Sequence, residues 1–549
     1  MSEIHGVTRS QRRRRRSKNR YTAIMVVLIV VLLAAVGTLV FFLVKNNQPA
    51  EEPTFPDIIR TGEGDTIPEN STEEVPGSFD ALLKQARKVA GSYDYDAAIA
   101  MVQDAAPQYE SVPELSAFIS ECRALKAKLV KWPDNTQITH VFFHTLVADP
   151  DLAFSSFKRY DYNEVMTTIE EYNKIIESMY EKGYVLVHLS DIAKIETQPD
   201  GTEQMTYQPI YLPQGKKPFV LSVDDVSYYE YMNNTGFATR LVIDEDGRIV
   251  NEMDTYEEVP GQTDPNTGGP LLKTDANGAP IVKSTVRGDF DVVPLLDRFV
   301  DEHPDFSYHG AKGTIALTGY NGVLGYRTSE ITYGSKDPAK VDLTIYEKWP
   351  KTYSYYNVNI EADRVKAKEV ADAMKAEGWK FASHTWGHMK MEAVVDKSTG
   401  TVSTETDRFY RDTTWWDTEV KPIIGETDII IFAFGSDIGS WRGYSDTNEA
   451  FLYLKKMGFN YFCNVDGSTP CWVQMNRTAG GSGYLRQGRR NLDGLLMLKQ
   501  VLNPEKVIVS DLFDVKEVID RRRLTLKDPN GRTAGLVVPD GTDFDALLK

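Results

Sequence analysis

Three cysteines among 549 residues are too few for a disulfide scaffold. Basic charge is also short: 62 Lys and Arg face 79 Asp and Glu, a formal −17, which argues against a chain built to bind nucleic acid. Histidine is scarce, with eight in all and none after His388. Hydrophobic residues at 41% and charged residues at 26% are ordinary globular usage, so collagen-like, mainly disordered and multi-pass membrane chains are excluded. What remains is a chain long enough for two to four domains. Its 8 Trp and 28 Tyr suit either cores or a sugar-binding cleft.

The N-terminus is asymmetric. Residues 1–20 are a basic tail that includes the run Arg12 to Arg16, and residues 21–44 carry no charge at all. Twenty-four residues make about 36 Å of helix, enough for a ~30 Å hydrocarbon core. The span is longer than the apolar region of a signal peptide, and Asn46-Asn47-Gln48-Pro49 is a poor cleavage context. The basic flank predicts a cytoplasmic N-terminus, with everything after Lys45 outside the cell membrane. Residues 1–44 hold eight of the bases and one of the acids, so the external part carries 54 bases against 78 acids, a formal −24. That charge repels extended polyanions. Cys463 and Cys471 are close enough in sequence to pair there, with Cys122 left over, although spacing alone establishes no bond.

Residues 45–77 read as a spacer rich in proline and acid. Residues 78–131 show apolar residues at helical spacing, with Leu82, Ala86 and Val89, then Ala98 and Val102, then Leu115, Phe118 and Cys122. Ser111 and Glu114 suggest a capping box for the third run, and GSYDYDAAIAMV has the look of a tetratricopeptide turn. This predicts a small all-α module, whose protein partner, if it has one, is unknown. From residue 132 to about 523 apolar strand candidates alternate with helices: 138–146, 184–187, 218–223, 313–317, 379–383, 428–435 and 461–465. Asp161 and Glu164 look like the start of one helix running to Met179. Alternation of this kind predicts an α/β fold with a parallel sheet closed into a distorted seven-unit (β/α) barrel. Residues 246–290 read as a surface insertion and 524–549 as a loosely attached tail.

In such a barrel functional groups gather at the carboxyl ends of the strands. Ser222-Val223-Asp224-Asp225 puts two carboxylates at one strand end, where like charges need a cation or donors to compensate. His384-Thr385-Trp386-Gly387-His388 follows another strand, and the four-residue spacing fits two imidazoles on one face of a helical turn. Two histidines and a carboxylate leave metal positions open for water and substrate. Phe432-Ala433-Phe434-Gly435 is a glycine turn at a third strand end, with backbone N–H groups suited to an oxyanion.

At these residues the chain resembles the polysaccharide deacetylases, carbohydrate esterase family 4. SVDD stands where that family usually has TFDD, HTWGH matches its H-[ST]-x-x-H motif, and the run into LPQGKKPFVLSVDD is similar too. The resemblance spans about 132–520. It implies Asp224 as general base, Asp225, His384 and His388 as ligands of a divalent metal, zinc by default, and Phe434 or Gly435 as oxyanion donor. Trp386 is a candidate for stacking on sugar. The implied reaction removes N-acetyl groups from a cell-wall or surface polysaccharide. An O-acetyl esterase on the same site and a catalytically impaired binding protein are the alternatives. Two features depart from the family: Ile431 stands where its third motif begins with Arg, and its late Leu-x-His motif has no match. Among the remaining histidines His144, at the carboxyl end of the first strand, is the best placed to supply the missing acid, the alternative being a histidine that only bonds backbone at the barrel mouth. Asp437 and His309 come next.

Overall fold

The computed structural model describes residues 79–264, 268–276, 278, 280–334, 358–405, 407–465 and 472–549. The basic tail, the uncharged run 21–44, the spacer and Cys471 lie outside the described residues. Among the described residues no helix is long and apolar enough to cross a membrane.

Seven parallel strands form a closed ring: β1 (Thr139–His144), β2 (Lys217–Asp224), β3 (Thr314–Leu317), β4 (Lys380–Ser383), β5 (Ile429–Ile431), β6 (Tyr461–Val465) and β7 (Tyr484–Asn491). Each pairs with the next in chain order, and β7 returns to β1 through Val141 opposite Arg490 and Phe142 opposite Asn491. Six of these strands follow from apolar runs in the sequence. The seventh, YLRQGRRN, does not, because its buried positions are mostly polar. The run at 184–187 is a strand, but Tyr184–Leu186 flanks only the first part of β2, from Lys217 to Phe219. The ring itself continues from Ser222 onward into β3.

Strand alternation sorts the side chains. Val141, Phe143, Leu221, Val223, Ile315 and Phe462 pack outward under a layer of helices. Val220, Ala316, Ala382, Ile431 and Cys463 occupy the opposite faces, in a second apolar cluster. That second cluster runs on into a helical module made of α1 (Asp80–Gly91), α2 (Tyr95–Ala105) and α3 (Pro113–Lys126). Ala86, Ala98, Val102, Phe118 and Ile119 bury their side chains there, so the module joins the barrel's apolar interior. The expected capping box at its third helix is absent. Ser111 donates its hydroxyl to the Gln108 carbonyl, and α3 starts at Pro113 with no side-chain cap.

The helix expected from Asp161 to Met179 is two helices, Arg159–Val165 and α4 (Ile169–Glu181). Arg523 explains the break. Its guanidinium donates to the Asn163 and Met166 carbonyls at 2.8 and 2.7 Å, taking up the open end of the first helix. Thr168 and Glu171 then open α4 with a capping box. Glu171 and Arg523 are paired and almost fully buried. The C-terminal segment is therefore not a loose tail: Leu524, Ala534, Val538 and Leu548 join the outer core. Described residues of the 246–290 insertion form an antiparallel sheet, Arg240–Ile243, Ile249–Tyr256 and Val282–Gly288.

Candidate metal centre

Asp224 ends β2, and Asp225 follows it with φ at 64°, the left-handed region that a non-glycine residue enters at a cost. That conformation is fixed by the Asp225 N–H donating to the Ala316 carbonyl on β3 at 3.1 Å. The twist turns the second carboxylate away from the first. HTWGH is not a helical turn, as its spacing suggested, but a tight loop in which Thr385 and His388 also have positive φ, 64° and 50°. A buried carboxylate, Asp412, accepts from the Trp386 and Gly387 N–H groups at 2.8 and 3.0 Å and so clamps the loop.

The loop delivers both imidazoles to Asp225. Nε2 of His388 lies 3.6 Å from Asp225 Oδ2, and Nε2 of His384 lies 3.9 Å from Asp225 Oδ1. The ligating atoms of all three residues fall within 4.8 Å of one another. Tetrahedral bonds of about 2.1 Å place neighbouring ligand atoms ~3.4 Å apart, close to these separations. The tautomer fits as well. His384 donates its Nδ1–H to the Ile431 carbonyl at 2.8 Å, which leaves the Nε2 lone pair facing Asp225. Burial lowers the His384 pKa against the pull of Asp224 and Asp225, so the ring stays neutral as ligation requires. Burial works to raise Asp225, but His388, His384 and the Tyr229 hydroxyl at 2.5 Å hold it below the usual carboxylate range. Donor chemistry, spacing and tautomer all fit a divalent cation.

Asp224 is set apart from this triad by its partner. Arg489, fully buried on β7, donates from Nη1 to Oδ1 at 2.8 Å and from Nη2 to Oδ2 at 2.9 Å. Burial pushes the Asp224 carboxyl up. Arg489, joined by His384, overrides it and holds the group down at about 2. Asp224 is thus an ionised, oriented carboxylate with both oxygens committed, which suits a base better than a further ligand. The guanidinium that the sequence lacks at Ile431 comes from the opposite end of the domain. Its signal was the Arg489 position itself, an arginine two residues after Gln487 on one face of a period-two segment. Arg486 and Arg490, on the other face, pair with Asp437 and Asp511.

His144, the last residue of β1, stands in register with Asp224. Its Nδ1–H donates to the Val165 carbonyl at 3.1 Å, and the ring lines the same cavity as the triad. The ring thus bonds backbone through Nδ1 and also faces the pocket. Asp437 is spent elsewhere, accepting from Arg486, the Tyr444 hydroxyl and Asn464. His309 stacks on Tyr308 near the helical module and does not line this cavity.

Phe434 and Gly435 line it, with φ at 57° and 64°. A Cβ on Gly435 would sit 2.4 Å from Cβ of Val465, so glycine is required by space as well as by angle. The Gly435 N–H already donates to the Phe432 carbonyl, which leaves the oxyanion assignment on Phe434. Phe434 is 66% exposed and packs its ring 4.3 Å from that of His388. Trp386 is a correction. It is fully buried, edge-on to Trp415, with Nε1 donating to Glu419 at 2.7 Å, and serves to hold the loop rather than to stack on substrate. Comparison with family models, curated proteins and solved structures finds no match for this chain.

Proposed function

We propose that this chain is a metal-dependent hydrolase of the polysaccharide deacetylase kind, which removes N-acetyl groups from amino sugars of a cell-wall or surface polysaccharide. The observation that carries this reading is the pairing of two carboxylates with opposite duties: Asp225 joins His384 and His388, while Arg489 locks Asp224 beside them. A divalent ion held by Asp225, His384 and His388, with zinc as the default, supplies a polarised carbonyl and a more acidic water.

Asp224 accepts a proton from the attacking water, oriented by its two bonds to Arg489. The Phe434 N–H stabilises the oxyanion that forms on the carbonyl. His144 is anchored through Nδ1, so the proton it gives to the leaving amine departs from Nε2. The impaired-scaffold alternative rested on the missing arginine and the missing late histidine; the bond from Arg489 to Asp224 supports the active reading on the first count, and His144 is the residue proposed for the second. The resemblance to the family in SVDD and HTWGH supports the same reading. Residues 21–44 would tether the domain to the membrane, facing outward.

Acetate release from N-acetylated and O-acetylated oligosaccharides, before and after chelation and zinc restoration, tests this function. Zinc-dependent release from the N-acetylated substrate is expected. Release from the O-acetylated substrate alone would replace the amide reading with the ester one. Metal bound without release from either would leave a binding protein.

A further inference from the structure

The cavity over the metal triad is large, about 570 Å³, and its two sides differ in chemistry. The ligands come from β2 and β4. Over the seam between β1 and β7 stands a different wall: Val165 and Met166, Leu495 and Leu496 at the start of α5 (Gly494–Leu502), and Val507 with Ile508. All six are aliphatic, and Val507 is 62% exposed. The polar side chains among them are partly engaged, with Asn491 Oδ1 and Arg490 Nε left without a hydrogen-bond partner. Arg490 is paired to Asp511, and Asp493 accepts from the Leu496 N–H and from Asn491. Lys499 is exposed.

A sugar ring laid flat on these six side chains would lose the hydrogen bonds of the hydroxyls it buried against them. An acetyl methyl would cover only a small part of it. An aliphatic surface that opens into the same cavity as a hydrolytic centre is matched by an aliphatic chain joined to the scissile carbonyl.

On the reading proposed above, that this site hydrolyses the N-acyl amide of an amino sugar, we infer that it also accepts, and prefers, N-acyl groups longer than acetyl, with the aliphatic chain lying along Val165, Met166, Leu495, Leu496, Val507 and Ile508. The sugar then meets the rest of the lining, which includes Tyr231 and Phe434. The reaction is an ordinary amide hydrolysis. The C–N bond breaks, the water oxygen joins the acyl carbon, one water proton ends on the nitrogen, and the acid formed ionises to release the other.

The test uses the zinc-loaded full chain with N-acetyl, N-butanoyl, N-hexanoyl and N-octanoyl glucosamine, measuring the free amine. In parallel, acetate and octanoate are titrated calorimetrically. We expect kcat/KM to rise about fourfold for each added methylene until the wall is covered, and octanoate to bind more than tenfold tighter than acetate. Val507→Asp, at an exposed position, flattens both trends with metal content unchanged. Turnover of the acetyl sugar that is flat or falling with chain length overturns the inference and leaves the deacylase reading intact. Tight octanoate binding that Val507→Asp abolishes, with no acyl sugar turned over, keeps the aliphatic site and overturns the amino-sugar reading. Neither turnover nor length-dependent binding overturns both.

Discussion

Arg489→Met removes the guanidinium while keeping a side chain that fills much of its volume. In the native chain Asp224 and Arg489 are 4% and 0% exposed at their side chains, so the lost bonds are only partly replaced by water from the cavity. Two effects follow. Breaking a buried pair from one side costs about 3–5 kcal/mol of stability, because a charge is left without its partner. The Asp224 carboxyl, now at about 2, is released to the pull of burial, the largest single influence on it, and rises past the ordinary carboxylate value of about 3.9. A rise of about two pH units is worth ~2.7 kcal/mol against the ionised form.

The sign is fixed by the role. A base must be ionised, so raising its pKa makes activity fail sooner on acidification and leaves it intact at high pH. The assay is kcat/KM of Arg489→Met relative to the native chain from pH 8 to pH 4, both saturated with zinc, so that any shared loss of metal cancels in the ratio. With the carboxyl raised to about 4, the ratio should hold down to about pH 5 and fall about twofold by pH 4. Arg489→Lys, which keeps the charge but not the fork, should fall in between. A ratio constant with pH would refute the assignment of Arg489 as the residue that tunes Asp224. If the Met variant loses too much stability, the Lys variant carries the same comparison.

The remaining expectations are compact. Asp225→Ala, His384→Ala and His388→Ala should each lower bound metal and abolish turnover, whereas Asp224→Asn should abolish turnover and keep the metal; retained metal in the double histidine variant would remove the site. His144→Gln should cut kcat at least tenfold and erase the alkaline limb of the pH profile, and an unchanged profile would exclude His144 as the acid. Arg523→Met should cost about 3–5 kcal/mol in urea unfolding, since it strands buried Glu171; a change under ~1 kcal/mol would mean the C-terminal segment is as peripheral as its sequence suggests. External protease on intact cells should release a fragment that begins within residues 46–77, and protection of the domain would reverse the proposed orientation.

Apolar strands and the two motif loops were legible from residues alone, because burial on both faces of a parallel strand writes itself as a hydrophobic run. β7 was illegible for the converse reason. Gln487 bonds Ile138 and His140, Arg489 bonds Asp224, and Arg486 and Arg490 each meet an acid, so a fully structural strand presents as a charged loop. Pairing across long sequence distances leaves no local periodic trace. The same holds for Arg523, whose partners Asn163, Met166 and Glu171 lie more than three hundred residues away. Trp386 misled through adjacency: beside two ligands in sequence, it points into the core because Asp412 and Glu419 hold it there.

A closed ring of strands has no first member. Each strand delivers its last residues to the same rim, so a charge is located there by its angle around the axis and its height along it, not by its order in the chain. Ile431 on β5 and Arg489 on β7 are separated by β6 alone. The arginine that one strand gives up can be restored from another without disturbing the carboxylate it serves. Such stations are interchangeable in evolution and in redesign. For barrels of this kind, an enzyme that seems disarmed when its strands are compared one by one can still be complete when the rim is read as a circle.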